Sequence, residues 1–145
     1  MDWVFDDRKV DWSALSELYR IAPLGNKQPD HLKRVYSNSM FKCFALQDGV
    51  VIGAGRVLAD GIDCAYLCDV VIHPDFQGQG VGQALCRKLM ELSAGHDKII
   101  LYANPGKEGF YRKLGFRRML TAMAKFQVDE DRALRRGLVE GGGVT

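Results

Sequence analysis

The sequence lacks a long apolar run and a strong excess of either charge. Its most apolar run, residues 64–72, is nine residues long and contains Asp69, whereas a helix needs about 20 apolar residues to cross a bilayer. Twenty basic and 18 acidic residues leave a net charge of +2, a balance that argues against electrostatic nucleic-acid binding. The acidic N-terminus has no signal-peptide core. We therefore expect a cytoplasmic protein that binds neither nucleic acid nor membrane.

Cysteine and histidine are scarce, and their spacing does not fit a metal site. There is no Cys-x-x-Cys pair, and the three histidines are scattered. Cys64 and Cys68 lie four residues apart, roughly 13 Å along an extended strand, which is too far to share a zinc ion. We expect no metal. The four cysteines are interpreted as buried free thiols in a reducing compartment: Cys43, Cys64, Cys68 and Cys86.

The 145 residues, with 47% apolar and 26% charged side chains, are typical of one globular domain. We expect a single domain over 1–145 with a C-terminal tail from about 129. The N-terminal third predicts a short strand over 3–5, a helix capped by Asp11, and a second helix over 29–38.

A strand-rich region follows. Asp48-Gly49 and Asp60-Gly61 separate apolar runs over 41–47, 50–58 and 64–72, which predicts an antiparallel meander. A helix from Val81 then shows apolar residues on one face, and Gly95 is its expected C-cap. The remaining predictions are a strand over 98–102, a helix over 107–114, a strand over 122–128, a frayed helix over 129–137 and a loose tail at 141–143. The order indicates an α+β fold with a mixed sheet.

Three closely spaced glycines lie between the most apolar strand and the helix that follows it. Residues 77–82 read Gln-Gly-Gln-Gly-Val-Gly. Counting from Gly78 or Gly80 fails the spacing of both the dinucleotide-binding turn and the P-loop. The pattern Gln77-x-x-Gly80-x-Gly82 still suits an anion, because bare backbone lets a pyrophosphate approach the unpaired N–H groups and positive dipole end of a helix. A tight turn that only reverses the chain is the alternative.

Two further segments point to one family. Residues 64–74, Cys-Ala-Tyr-Leu-Cys-Asp-Val-Val-Ile-His-Pro, resemble the cofactor strand of the GNAT N-acetyltransferase superfamily. Within it, Tyr66–Ile72 is similar to the strand of plant serotonin-acetylating members. Residues 104–116 contain Phe110-Tyr111-Arg112-Lys113-Leu114-Gly115-Phe116, which resembles the family's F-Y-x-x-L-G-F segment. The resemblance covers roughly residues 41–126, with the three motifs in family order.

The resemblance implies a GNAT fold with helices on both faces of the sheet and with acetyl-CoA between splayed fourth and fifth strands. Backbone groups of the fourth strand would bind the pantetheine arm, the glycine turn would wrap the pyrophosphate, and two residues of the later motif would approach the far side of the cofactor. The cofactor-binding residues implied are Val70, Val71, Ile72, Gln77, Gly78, Gln79, Gly80, Val81, Gly82, Asn104 and Tyr111.

Acetyl transfer to an amine needs a proton acceptor, an oxyanion donor and a proton for the thiolate. Asp69, the one charged residue in its apolar run, is the candidate base, directly or through water. Satisfying backbone N–H groups is its alternative role. The backbone N–H of Ile72 is the natural oxyanion donor, because the strand leaves its ladder where the sheet splays. Tyr111 matches the family's tyrosine acid, and packing in an apolar patch is its alternative.

The leading hypothesis is an enzyme that transfers acetyl from acetyl-CoA to a small primary amine in a ternary complex. The first alternative is acetylation of protein N-termini or lysines, although residues 24–26 and 120–123 look able to close the acceptor side. The second is a module that binds acetyl-CoA without turnover. The acceptor is not encoded in the cofactor motifs, and a homodimer is left open.

Overall fold

The computed structural model describes residues 1–141; the last residues of the predicted tail, 142–145, lie outside the described part. The described chain divides into two compact units at residues 101/102, and each is taken separately below. The first unit holds a five-stranded sheet in the order β1-β2-β3-β4-β5. Its strands are β1 Asp2–Val4, β2 Phe41–Gln47, β3 Val50–Ala59, β4 Cys64–Ile72 and β5 Lys98–Ile100.

The predicted meander is confirmed: β2, β3 and β4 pair antiparallel in sequence order. The β2–β3 hairpin turns at Asp48 and Gly49, whose φ angles of 52° and 78° suit the tight turn that matches strand twist. At the next turn, the Asp60 carboxylate accepts hydrogen bonds from the N–H groups of Ile62 and Asp63 at 2.8 and 2.7 Å. Side-chain capping of backbone donors thus shapes the loop before β4.

Two helices cover one face of the sheet. Helix α1, Trp12–Ile21, begins at the predicted cap, where the Asp11 carboxylate accepts from the Ala14 N–H at 3.0 Å. Helix α2, Pro29–Ser37, has Pro29 in its first turn, where the missing N–H costs nothing. Both helices bury side chains against strand residues on this face, in a core that includes Leu15, Leu18, Tyr19, Leu32, Tyr36, Phe44, Ala54 and Val71.

Helix α3, Val81–Leu92, packs on the opposite face, where Val81 joins Ala45 and Ile52. Glycines in β3 permit this close approach: a Cβ at Gly55 would lie 2.8 Å from Leu89 Cδ1. The prediction that Gly95 caps this helix is wrong. The cap is Ser93, which is buried and whose hydroxyl donates to the Leu89 carbonyl at 2.8 Å, so the helix ends two residues before the glycine.

The fifth strand is shorter than predicted, and its parallel pairing with β4 joins Cys64–Tyr66 to Lys98–Ile100. Within the described chain, the rest of β4 extends beyond that ladder. This is the splay between the fourth and fifth strands that the resemblance implied, and it follows from β5 ending at Ile100.

The second unit, from Tyr102 onward, contains two short helices, α4 Glu108–Lys113 and α5 Glu130–Arg135. The prediction of a final strand over 122–128 is wrong: this segment has no strand hydrogen bonding in the described chain, and Met123 is 94% exposed. A strand needs a partner ladder, and alternating apolar residues alone do not supply one.

Candidate active site

Strand β4 contains a β-bulge at the acidic residue singled out by the sequence. Ala54 pairs with Val71 and Arg56 pairs with Cys68, so Asp69 and Val70 together face the single residue Gly55. Asp69 has φ 57°, in the left-handed region, a conformation that aspartate tolerates better than most side chains. The bulge bends β4 at the start of the segment, Val70–Ile72, that the resemblance assigns to the cofactor.

The Asp69 carboxylate is held by two cations. Arg56 Nε donates to Oδ2 at 2.8 Å, and Lys27 Nζ lies 3.5 Å from Oδ1. Arg56 Nη1 also donates to the Ser39 hydroxyl at 3.2 Å, which in turn donates to the Val35 carbonyl at 2.6 Å. The side chain expected among apolar neighbours therefore lies in an ion-pair cluster that ties β3, β4 and the loop before α2 together.

A buried tyrosine pair fixes the backbone of the same bulge. The Tyr19 hydroxyl lies 2.5 Å from the Asp69 carbonyl, to which it donates, and 2.6 Å from the Tyr36 hydroxyl. Burial raises the pKa of both phenols, well above the ordinary value in the case of Tyr19. Because both stay protonated, Tyr36 can donate to Tyr19 while Tyr19 donates to the carbonyl, so α1 holds the bulge in place.

The backbone of β4 beyond the bulge presents hydrogen-bonding groups away from β3. The His73 N–H donates to the Ile52 carbonyl at 2.7 Å and therefore points toward β3. Since successive residues of a strand direct their N–H groups to opposite sides, the Ile72 N–H points to the side where β5 has already ended. The Ile72 carbonyl accepts from Gln77 Nε2 at 3.2 Å.

The glycine turn after β4 is exposed and carries two left-handed glycines. After a single helical turn at Pro74–Phe76, Gly78 and Gly80 adopt φ 77° and 81°, and a Cβ at either position would meet no atom within 4 Å. Gly80 is the N-cap of α3, and in the described chain no side chain caps this helix and no acidic residue lies in its first turn. The turn therefore leaves the N–H groups at the positive end of α3 open to an anion.

The second unit contains the other two predicted site residues. Asn104 Oδ1 accepts from Arg136 Nη2 at 3.1 Å. Tyr111 lies in α4, with its ring edge-on to Phe110 and Phe116 at centroid distances of 5.0 and 5.9 Å. Gly115, with φ 96°, ends α4, and the Phe116 N–H bonds to the Tyr111 carbonyl at 3.1 Å. The Leu-Gly-Phe part of the motif is thus a Schellman C-cap that anchors the turn bearing Tyr111.

The cysteines are free thiols, as predicted, but only Cys43 and Cys86 are fully buried, whereas Cys64 and Cys68 are partly exposed. Burial raises the pKa of the Cys43 and Cys86 thiols to about 12. Within residues 1–141, no group of three His, Cys, Asp or Glu side chains is arranged to hold a metal ion. Among the same residues, no helix combines the length and the apolar character needed to cross a bilayer.

The model of the acetyltransferase (GNAT) family matches residues 8–116, well over half of the chain. This protein belongs to the GNAT family. The match includes the bulged strand, the glycine turn and the Tyr111 motif, and it begins before α1. The acetyl donor of this family is acetyl-CoA. The family match therefore confirms the fold and the family donor that the three motifs implied.

Known relatives support the assignment at two levels. Serotonin N-acetyltransferase 2, chloroplastic, of rice is 35% identical over 115 residues, which cover 74% of this chain and 56% of the relative. The chain thus spans about half the length of that relative. A GNAT-family acetyltransferase from Streptococcus pneumoniae superposes with a TM-score of 0.73 at 21% identity, covering 88% of this chain and 100% of the other.

An aminoglycoside 6′-N-acetyltransferase solved with coenzyme A superposes with a TM-score of 0.70 at 16% identity, covering 82% of this chain and 86% of the other. At these identities, the two structural likenesses show the shared fold.

Sequence reasoning did not find the partners of Asp69. Arg56 lies in β3, where it pairs with Cys68 of β4, and Lys27 lies in the loop between α1 and α2. Neither belongs to a motif. One signal was present: a lone aspartate in an apolar strand requires a cation or several donors when the strand is buried, and Arg56 is the only basic residue in the neighbouring strand β3.

Proposed function

We propose that this protein transfers the acetyl group of acetyl-CoA to a primary amine of a small molecule, by direct attack in a ternary complex. The observation that carries the proposal is the juxtaposition, within one unit, of the open glycine turn and the edge of β4 beyond the β4–β5 ladder. A pyrophosphate needs the open N–H groups of the glycine turn, and an extended pantetheine arm needs the edge of β4.

In the proposed complex, the backbone of Val70, Val71 and Ile72 binds the pantetheine arm as an added strand would. The glycine turn, residues 77–82, wraps the pyrophosphate, whose charge complements the dipole of α3. Asn104 and Tyr111 are the remaining cofactor contacts, which we assign from the resemblance of their motif to that of the family. Empty space beside Gly78 and Gly80 supports this placement, since neither glycine is needed to relieve contact with protein atoms.

The proposed chemistry uses three groups of this chain. The neutral amine attacks the thioester carbonyl carbon, a C–N bond forms and the C–S bond breaks. Asp69 accepts the proton that the amine loses, directly or through water, and the Ile72 N–H donates to the developing oxyanion. Tyr111 supplies a proton or a hydrogen bond to the departing thiolate, and no metal takes part.

Release of free thiol from acetyl-CoA in the presence of an amine library tests the proposal, with mass analysis of each acetylated product. We expect repeated turnover with one or more small primary amines, and no repeated turnover with acetyl-CoA and buffer alone. Turnover confined to peptides would favour the protein acetyltransferase alternative. Binding of acetyl-CoA without turnover of either acceptor class would favour the non-catalytic module.

A further inference from the structure

A primary amine of the protein itself lies beside the proposed base. Lys27 Nζ is 3.5 Å from Asp69 Oδ1, the carboxylate that must accept the acceptor's proton in the proposed reaction. We propose that Lys27 is a self-acetylation site, at which the protein transfers an acetyl group from acetyl-CoA to its own Nζ. This inference rests on the proposed function and adds an acceptor to it.

Lys27 is held at the bulge, although it belongs to a loop. The Ser16 hydroxyl of α1 donates to the Lys27 carbonyl at 2.5 Å, which anchors the backbone. Its ammonium lies 5.4 Å from the centroid of the Tyr19 ring, and the hydroxyl of that ring bonds to the Asp69 carbonyl. One contact on its backbone and others at its ammonium therefore direct Lys27 at the bulge, while its side chain stays 32% exposed.

The two cations on Asp69 differ in a way that leaves Lys27 able to move. Arg56 is 14% exposed and holds Oδ2 at 2.8 Å, with a second hydrogen bond to Ser39. Lys27 makes a longer contact on the other oxygen. Its flexible four-carbon stem can carry the amine from Oδ1 toward the edge of β4, while Arg56 keeps the carboxylate in position.

The step balances without a further reactant. The Lys27 ammonium gives up one proton to Asp69, directly or through water, and its lone pair attacks the thioester carbonyl carbon. The N–C bond forms, the C–S bond breaks, and coenzyme A leaves as a thiolate that takes up one proton from solvent, directly or through Tyr111. The proton on Asp69 and the second nitrogen proton are released to solvent, and the products are Nζ-acetyl-lysine and free coenzyme A.

Acetylation would change the charge beside the base. It removes the positive charge of Lys27, so that Asp69 keeps Arg56 as its cation and Oδ1 loses its ammonium. The cluster of Lys27, Arg56 and Asp69 would go from one net positive charge to none. The modification would therefore alter how the site receives a cationic acceptor amine.

Lys98 provides a matched control. Its Nζ lies 2.9 Å from Asp63 Oδ1 and 3.0 Å from Oδ2, so it too pairs with a carboxylate. This pair is more than half exposed and lies at the opposite end of β4. If pairing with a carboxylate were enough for acetylation, both lysines would be acetylated. If the transfer takes place at the bulge, Lys27 is acetylated and Lys98 is not.

The experiment incubates purified protein with acetyl-CoA and no added acceptor, and follows acetylation of each lysine by peptide mass spectrometry over time. We expect Lys27 to be acetylated at least ~10-fold faster than Lys98, and Asp69→Asn to slow Lys27 labelling by ~10²-fold or more. Lys27→Arg should abolish the main product, and Lys98→Arg should leave it unchanged. A rate per molecule that does not change on dilution would show transfer within one chain.

Equal labelling of Lys27 and Lys98, or Lys27 labelling that Asp69→Asn leaves intact, would overturn the inference, because simple chemical acetylation would explain both. No labelling of Lys27 in a protein that acetylates small amines would overturn it while the proposed function stands. Lys27 labelling in a protein that turns over no added amine would support the inference and remove the small-molecule proposal.

Discussion

The carboxylate of Asp69 is the group on which the proposed acid–base chemistry depends, and its two oxygens have different surroundings. Oδ2 is bound by Arg56, which is 14% exposed, whereas Oδ1 faces the more exposed Lys27 at a longer distance. Asp69→Asn removes the proton acceptor and keeps the size of the side chain. We expect turnover to fall by ~10²–10⁴-fold, with the largest loss at low pH and partial recovery as pH approaches the acceptor amine's own pKa, near ~10. Steady-state rates across pH would measure this.

The control for this variant is Asp63→Asn, which removes the exposed partner of Lys98 at the other end of β4. It should leave the pH profile unchanged. If Asp69→Asn has a profile of the same shape as the unmodified protein, Asp69 holds the bulge through Arg56 and takes no part in proton transfer.

Tyr111 carries a second prediction at the residue scale. Its ring packs edge-on against Phe110 and Phe116, and Tyr111→Phe keeps that packing while deleting the hydroxyl. If the hydroxyl meets the thiolate mainly in the transition state, single-turnover rates should fall by ~10²–10⁴-fold while acetyl-CoA affinity changes little. If Tyr111→Phe has the same single-turnover rate as the unmodified protein, Tyr111 is a packing residue and its hydroxyl takes no part in the reaction. Tyr102→Phe, at a phenol 61% exposed, is the control.

Residue identity predicted the importance of Asp69 but not its environment. A charged residue in an apolar strand is visible in the sequence, whereas its left-handed φ and its ion pairs depend on the register of β3 against β4 and on a loop far away in the chain. Tyr19 and Tyr36 lie on the buried faces of α1 and α2. Their hydroxyl pair on the bulge follows from the way those helices pack on the sheet.

At the scale of elements, the turn between β4 and α3 gives the sharpest test of the cofactor site. Gly80→Val places a branched side chain in the open space at the N-terminus of α3 and should raise the dissociation constant for coenzyme A at least ~10-fold, about 1.4 kcal/mol. Calorimetric titration would measure it. Gly49→Val is the control, because Gly49 also has a positive φ of 78° and open space around it but lies in the β2–β3 hairpin.

Both variants carry a similar backbone penalty, so thermal unfolding should show similar losses of stability. Their affinities for coenzyme A should differ, because only Gly80→Val changes the glycine turn. Equal coenzyme A affinity for folded Gly80→Val and Gly49→Val would remove the glycine turn from the binding site.

Element bounds were predictable where local chemistry set them. Strands β2 and β4 have the predicted ends because Asp-Gly turns and the glycine turn delimit them, and α1 begins at its aspartate cap. The predicted strand over 122–128 is wrong because a strand forms only beside a partner strand, which alternating apolar residues do not supply. The sequence identifies Leu114-Gly115-Phe116 as part of a motif, whereas its role as a helix C-cap depends on the left-handed φ of Gly115 and the hydrogen bond from the Phe116 N–H, which only the structure shows.

At the scale of the whole molecule, the order of three motifs predicted the family and the two-faced sheet, because each motif marks a place where the chain changes direction or leaves the ladder. The cofactor motifs do not encode the acceptor amine, so its identity could not be predicted from them. The single domain, the cytoplasmic location and a homodimer stay predictions.

The buried thiols and phenols predict a loss of global stability at alkaline pH. Burial raises the pKa of Cys43 and Cys86 from 9.0 to about 12, so the folded state keeps protons that the unfolded chain releases. Their contribution is complete below pH 9 and is lost as pH rises from 9 to 12, at up to ~1.4 kcal/mol per pH unit for each thiol. The raised pKa values of Tyr19 and Tyr36 steepen the loss above pH 10, the ordinary phenol value.

Urea unfolding at a series of pH values from neutral to alkaline would measure this slope. The variant Cys43→Ala/Cys86→Ala should be less stable at neutral pH, because it leaves small cavities, yet its stability should fall less steeply above pH 9. Cys64→Ala, at a partly exposed thiol, should keep the full slope. If the double variant also keeps it, the two buried thiols ionise in the folded protein as readily as in the unfolded chain, and the alkaline loss has another origin.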